Sequence, residues 1–305
     1  MNLASLVAGH PADARALHHG AQWTSWGELR RLAAGVADAL SGIGVGPGDR
    51  VGLALPTSVP FVAAYLGVLA AGAVAVPLNP NSPEAEFRGE IDVVEPRVLF
   101  VGGQARSTLA GGAGAGVVVV ADAPPPAGDG ELPVVPRDDD ELAVLLFTSG
   151  TAGAPRAAML THGNLHANLL QMLALPGEIA RADDVGLAAV PLFHVFGLNV
   201  ALGLTLATGG ALVLEERFDP EASLSLVREL EVTNLLGAPA MFASWADLPA
   251  ADGAAALGGV RHAISGAAAL PAEVAARFEA RYGVSVWQGY GLTEASPAVA
   301  TSLGT

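Results

Sequence analysis

Four short stretches carry the side chains that could do chemistry. The first, Thr148-Ser149-Gly150-Thr151-Ala152-Gly153-Ala154-Pro155-Arg156, follows an apolar run from Leu142 to Phe147. Gly150 and Gly153 let the backbone turn its N–H groups inward, as a nest for an anion. The hydroxyls of Thr148, Ser149 and Thr151 add donors, and Arg156 adds a permanent forked charge suited to phosphate. A polyphosphate cradle is the chemistry this loop offers. An ordinary polar hairpin is the plain alternative, because Gly/Ser/Thr segments are common turns. It is not a Walker A loop, since no G-x-x-x-x-G-K-[ST] occurs in the chain.

The second stretch, Pro191 to Gly197, sets His194 among Leu192, Phe193, Val195 and Phe196. A lone His in apolar company is usually a satisfied core residue. The sharper reading is a His that hydrogen-bonds a carboxylate at the mouth of an apolar tunnel. No other His or acidic residue stands near it at metal-ligand spacing, which argues against zinc. The third, Ser265-Gly266-Ala267-Ala268-Ala269, lacks bulky side chains. A flat ring such as adenine could lie on its backbone; simple strand-to-helix punctuation is the alternative. The fourth, Gly289-Tyr290-Gly291-Leu292-Thr293-Glu294, places an aromatic ring, a hydroxyl and a carboxylate within one turn. Tyr290 can stack on a base, Thr293 can donate to a phosphate, and Glu294 can hold Mg²⁺, which takes one or two carboxylates plus phosphate oxygens. A glycine turn with an exposed Glu is the plain alternative. Neither Ser149 nor Ser265 has the G-x-S-x-G context of a hydrolase nucleophile.

The elements around these stretches alternate as strand and helix. Apolar residues at helical spacing predict a helix over Trp26–Leu40 closed by Gly42 as a cap, and a buried helix over Val59–Ala71. Ser82-Pro83 predicts a helix start with Ser82 as its cap. Strands are expected at 50–55, 73–77, 98–101, 117–120 and 142–147, and later at 185–190, 211–214, 233–236, 260–264 and 285–287, with helices between them. The expected fold class is therefore α/β: stacked, mainly parallel sheets layered with helices. In such sheets ligands sit at the carboxyl ends of strands. Each of the four stretches follows a strand, so their convergence at one edge would form a single cleft. Residues 123–140 read as an exposed connector, and its run Asp138–Glu141 as a solvated loop.

With 305 residues, 51% of them hydrophobic, the chain can bury a large core in two lobes, expected at about 1–180 and 181–305. It has no cysteine, so any thioester chemistry needs a thiol from elsewhere. A net charge of −15 argues against nucleic acid or an anionic membrane as a partner. All 15 basic residues are Arg, and no step using a lysine side chain can be carried out by this chain. Two uncharged stretches, Phe61–Leu78 and Val185–Leu214, are broken by Gly and Pro and read as buried helix plus strand rather than membrane spans. With no secretory signal either, a cytoplasmic protein without a transmembrane segment is expected.

The motifs together resemble the adenylate-forming enzymes, which include acyl-CoA synthetases and the adenylation domains of peptide synthetases. Thr148–Arg156 resembles their phosphate loop, Gly289–Glu294 their second signature, and Pro191–Gly197 the segment beside the acyl pocket. Val45-Gly-Pro-Gly-Asp-Arg-Val51 and Tyr65-Leu-Gly-Val-Leu-Ala-Ala-Gly72 also match, so five motifs stand in the family's order. The resemblance implies an ATP- and Mg²⁺-dependent acid–CoA ligase, which activates a small carboxylic acid as an acyl-adenylate and passes it to coenzyme A. It implies that Thr148, Ser149, Gly150, Thr151, Gly153 and Arg156 hold phosphates, and that Gly266, Ala267, Ala268, Tyr290 and Gly291 flank adenine. It further implies that Thr293 contacts the α-phosphate, that Glu294 holds the metal, and that His194, Phe196 and the Ala238-Pro239 turn border the acyl group. Three departures stand out: Ala152 for the usual Thr, Ala157 for Gly, and Arg156 for Lys. Family members also continue beyond this length, with an Asp for the ribose and a small domain carrying the adenylating Lys. The expectation is therefore an incomplete N-terminal AMP-binding domain, 1–305, impaired on its own. A non-catalytic acyl- or nucleotide-binding module is the alternative, and a reading frame continuing into a Lys-bearing domain would separate the two. A peptide-synthetase adenylation domain is a weaker option, because the segment after Phe193 is apolar and lacks the Asp that meets a substrate ammonium.

Overall fold

In the computed structural model, residues 1–109, 118–121, 127–128, 130–148, 155–249 and 257–303 are described. They form two compact units: Met1–Ala14 with Thr24–His166, and Arg15–Trp23 with Ala167–Thr305. The chain passes between the units at 14/15, 23/24 and 166/167. Arg15–Trp23 joins the second unit because its strand pairs there.

The first unit is built on a six-stranded sheet. Its strands are β3 (Arg50–Ala54), β4 (Val74–Pro77), β5 (Val98–Val101), β6 (Val118–Ala121), β7 (Leu142–Thr148) and β8 (Arg156–Thr161), in the order β6-β5-β3-β4-β7-β8. All neighbours are parallel except β7 and β8. Helices α1 (Trp26–Gly42), α2 (Val59–Ala70), α3 (Glu84–Val94) and α4 (Gly103–Thr108) accompany these strands, and α5 (His162–Leu173) follows β8. α1 is started by a reciprocal cap: Glu28 N–H donates to Ser25 Oγ at 3.2 Å, and Ser25 N–H to Glu28 Oε2 at 2.8 Å. It runs through Gly42, so the cap expected there moves to Ile43, and the left-handed turn is made by Gly44 at φ +75°. α3 also departs from expectation. The extended Pro83 occupies the cap position, and Ser82 is displaced into the interior with its Oγ unbonded. One core packs Phe87, Ile91 and Val94 of α3 on Leu99, Val76 and Leu145 of the sheet.

The second unit holds an eight-stranded sheet in the order β14-β13-β12-β11-β9-β10-β1-β2. The ranges are β1 (Arg15–His19), β2 (Gln22–Ser25), β9 (Val185–Ala188), β10 (Ala211–Leu214), β11 (Asn234–Gly237), β12 (His262–Ser265), β13 (Val286–Gly291) and β14 (Ala298–Thr301). β1, β10, β9, β11, β12 and β13 pair in parallel, and β14 closes the edge antiparallel to β13. β1, β2 and β14 had no sequence expectation. All three are short and without a long apolar run; β1 is mostly buried and β2 and β14 are partly exposed, so only pairing defines them. One sheet face is covered by α7 (Pro220–Glu229), α8 (Pro239–Asp247) and α9 (Ala272–Tyr282). There Phe242, Trp245 and Phe278 meet edge to face, with Phe242 5.3 Å from Trp245 and 5.1 Å from Phe278. The segment 191–197, expected as a turn, leads into a π-helical stretch Phe196–Gly203 and α6 (Leu204–Thr208). Among the described residues no helix is long and apolar enough to cross a membrane.

Candidate functional site

In the second unit β9, β11, β12 and β13 are mutually parallel neighbours, so their carboxyl ends share one edge. The segments 191–197, 238–239, 266–269 and 292–294 all leave from that edge. Three of the four chemical stretches therefore do come together. The fourth, Thr148–Arg156, belongs to the other unit.

Gly266 is the contact point of two of them. A Cβ built there would lie 2.9 Å from Phe196 Cζ and 3.1 Å from Cε1 and Cε2. The Phe196 ring thus lies flat against a backbone that any side chain would lift away. The next residue, Ala267, has φ +70°, a left-handed conformation that costs a non-glycine residue of order 1–3 kcal/mol. Ala267, Ala268 and Ala269 are exposed while Ser265 and Gly266 are buried. This loop presents a bare, strained ledge at the sheet edge.

His194 follows Phe193, with ring centroids 4.7 Å apart. Its own N–H donates to Pro191 O at 3.2 Å, and its carbonyl accepts from Leu198 N at 2.8 Å. The imidazole is accessible on one side and crowded on the other. The crowding lowers its pKa, so it is neutral at pH 7. It is neither the buried, satisfied histidine of the plain reading nor a cation.

The fourth stretch divides differently from expectation. Gly289, Tyr290 and Gly291 are the end of β13, not a loop. They are held there because Tyr290 pairs with Ala300 and Gly291 with Ala298 across the antiparallel edge, with a register shift between Tyr290 and Gly291. Gly291 is required at that point, since a Cβ would meet Pro297 O at 2.3 Å. Tyr290 is 62% exposed, its ring free for stacking on one side. Thr293 and Glu294 follow in a short 3₁₀ turn, with Glu294 exposed. Two buried amides, not among the residues expected at the site, fix this turn. Asn199 Nδ2 donates to Ser296 O at 2.8 Å. Asn168 brackets Ala298, donating to its carbonyl at 2.8 Å and accepting from its N–H at 3.1 Å. An amide inside an apolar run was the available signal.

Of the first stretch, Thr148 and Arg156 are the last cross-strand pair of β7 and β8. The frame is a hairpin, which does not compete with a cradle at its tip. Ser149, Gly150, Thr151 and Gly153 lie outside the described residues. Among the described residues no group of three His, Cys, Asp or Glu could hold a metal. An exposed carboxylate such as Glu294 could by itself serve only an ion that takes most of its ligands from phosphate and water, as Mg²⁺ does.

The second unit is thus a parallel α/β unit that gathers a glycine-floored ledge, a neutral His and an exposed carboxylate along one strand edge. The chain belongs to the AMP-binding enzyme family, whose model matches residues 3–305. It is 36% identical over 289 residues to a feruloyl-CoA synthase from an Amycolatopsis species, covering 94% of this chain and 57% of that protein. Its fold matches an ATP-bound MatB from Rhodopseudomonas palustris with a TM-score of 0.87 at 30% identity, covering 97% of this chain and 60% of that one. A benzoate CoA ligase from Burkholderia xenovorans LB400 matches with a TM-score of 0.88 at 26% identity, covering 99% and 63%. The chain therefore spans a little over half the length of these relatives. It is homologous to acyl-CoA ligases, with the α/β fold of the N-terminal domains of adenylate-forming enzymes.

Proposed function

We propose that this chain is the acid- and nucleotide-binding part of an ATP-dependent acid–CoA ligase acting in the cytoplasm, with an aryl or acyl carboxylic acid as substrate. The observation that carries this reading is the Phe196 ring seated on Gly266 beside a neutral His194. We read the bare backbone under the Phe196 ring as the floor of an apolar slot ending at a polar, uncharged donor, which suits an acid whose body is apolar.

In this reading His194 donates to the bound carboxylate, and Phe196 with the Ala238-Pro239 turn borders the chain behind it. Tyr290, Gly291 and the 266–268 ledge flank adenine. Thr293 donates to the α-phosphate, while Thr148, Ser149, Gly150, Thr151, Gly153 and Arg156 cradle the outer phosphates. Glu294 holds Mg²⁺, which neutralises charge building on the phosphates when it is bound. In-line attack by a carboxylate on the α-phosphorus needs placed donors more than a protein nucleophile. This explains why the site has neither cysteine nor an activated serine. Since the chain has no lysine, a lysine-assisted adenylation step needs a residue from outside it.

The test is calorimetric titration of the chain with Mg-ATP and with benzoate- and ferulate-type acids, alongside pyrophosphate exchange. Saturable binding of both ligand classes, with exchange far below that of full-length relatives, is expected. Absence of binding of either class refutes the reading.

A further inference from the structure

The turn that carries Thr293 and Glu294 is closed at its neck by Leu292 N–H, which donates to Pro297 O at 3.1 Å. Inside it, Ala295 N–H donates to Leu292 O at 3.0 Å and Ser296 N–H to Thr293 O at 3.2 Å. Glu294 faces solvent while Ser296, two residues on, is buried. Ser296 has φ +74° and ψ 29°, the left-handed conformation. A non-glycine residue persists there only where its surroundings over-determine it, and such residues gather at functional sites. Part of what holds Ser296 is its carbonyl, which accepts from Asn199 Nδ2 at 2.8 Å.

Asn199 arrives from a different element. It lies within the π-helical stretch Phe196–Gly203, three residues after the Phe196 ring, and is 3% exposed. Leu198, Val200, Ala201 and Leu202 around it in sequence are apolar and buried. An amide in such company is retained only if it is bonded, because an unsatisfied one is costly. The stretch also makes room for it. A Cβ built on Gly203 would lie 2.8 Å from Asn199 Oδ1 and 3.0 Å from Leu169 Cδ2. Glycine inside a helix is destabilising relative to alanine, and here its missing side chain is the space beside the amide. π-helical turns are themselves rare and recur at functional sites. A strained serine, a buried amide and a glycine that accommodates it thus stand in line behind Glu294.

We propose that Asn199 is a positioning residue for the metal: through the Ser296 carbonyl it holds the Thr293–Glu294 turn in the shape that lets Glu294 serve Mg²⁺ bound with a nucleotide. The inference rests on the reading of Glu294 in the preceding section and adds a residue that acts through another. It also means that this turn is built on the element carrying Phe196, and not only on the strand it leaves. One stretch, 196–203, then supports both the acid side of the site and the metal side.

The test is calorimetric titration of the whole chain with ATP, once with Mg²⁺ and once with EDTA, giving the ratio of the two affinities. Wild type should bind Mg-ATP more tightly than metal-free ATP. Asn199→Leu should lower that ratio roughly three- to tenfold, the worth of one such hydrogen bond, and leave metal-free ATP binding unchanged. Gly203→Ala keeps the amide but displaces it, and should lower the ratio in the same direction. Glu294→Gln is the reference: combined with Asn199→Leu it should show no further loss, since both changes remove one interaction. An unchanged ratio in both variants overturns the inference. So does an equal loss of ATP affinity with and without Mg²⁺, which marks a purely structural amide, or a loss that adds in full to that of Glu294→Gln. Failure of both variants to fold assigns the amide to stability alone and overturns it too. Wild type that binds no ATP, or binds it equally with and without Mg²⁺, overturns the reading of Glu294 as well.

Discussion

The substitution Glu90→Gln tests how the first unit supports its hairpin. Glu90 lies on the buried face of α3 with Phe87, Ile91 and Val94, is 8% exposed, and has Oε2 without a partner. Its neighbour Gly89 approaches Pro155, the residue that leads into β8: a Cβ there would lie 3.5 Å from Pro155 Cγ. Burial, reinforced by the charge of Glu86, pushes the Glu90 carboxyl up to about 7 from 4.5. The native state therefore holds a proton that the unfolded chain releases near pH 4.5. Native stability attributable to this group is full below pH 4.5, falls as pH rises, and is gone above about pH 7. At 1.36 kcal/mol per unit the loss amounts to about 3 kcal/mol. Gln is neutral at every pH and of the same shape. Denaturant unfolding of both proteins at pH 4, 6 and 8.5 should give matching stabilities at pH 4 and a growing advantage for Glu90→Gln, reaching about 3 kcal/mol at pH 8.5. The pairwise difference cancels Glu215, which burial also raises to about 7. A difference that stays constant across this range refutes the assignment of a protonated, buried Glu90.

Two further substitutions probe the second unit. Asp184 is 6% exposed and receives Arg261 at 3.1 Å and 2.5 Å, so Arg261→Met leaves a buried carboxylate without its cation. A loss of about 3 kcal/mol or more in denaturant unfolding is expected, and under 1 kcal/mol would show that Thr233 and Asn234 suffice. Gly266→Ala drives a Cβ to 2.9 Å from the Phe196 ring, which must tilt outward into the slot. Stability should fall by about 1–2 kcal/mol and affinity for aryl acids several-fold, read by calorimetry; unchanged acid affinity would remove Phe196 from the slot.

Much of the architecture was legible along the chain. The all-apolar runs at β4, β5 and β10, buried on both faces, can only be central parallel strands, and the helices between them follow from spacing. What spacing could not give was any element defined by its partner. β14 is a strand because Tyr290 and Gly291 offer it hydrogen bonds, and β1 because β10 does. The cap of α3 moved from Ser82 to Pro83 because the residue before the helix is fixed by a proline ring, not by the better capping side chain.

For the candidate site, residue types and order put forward His194, Gly266 and Glu294 as candidates. Type and order follow from local chemistry: which groups donate, which backbone can be approached, and which charge can meet a phosphate. The sequence determined those choices, together with the absence of lysine. Tertiary structure alone decided the rest. It laid Phe196 on Gly266 and set Asn168 and Asn199 under the Glu294 turn. Each of these joins residues tens of positions apart, and a hydrogen bond or a ring contact across such a separation exists only once the parallel sheet has brought its strand edges into register.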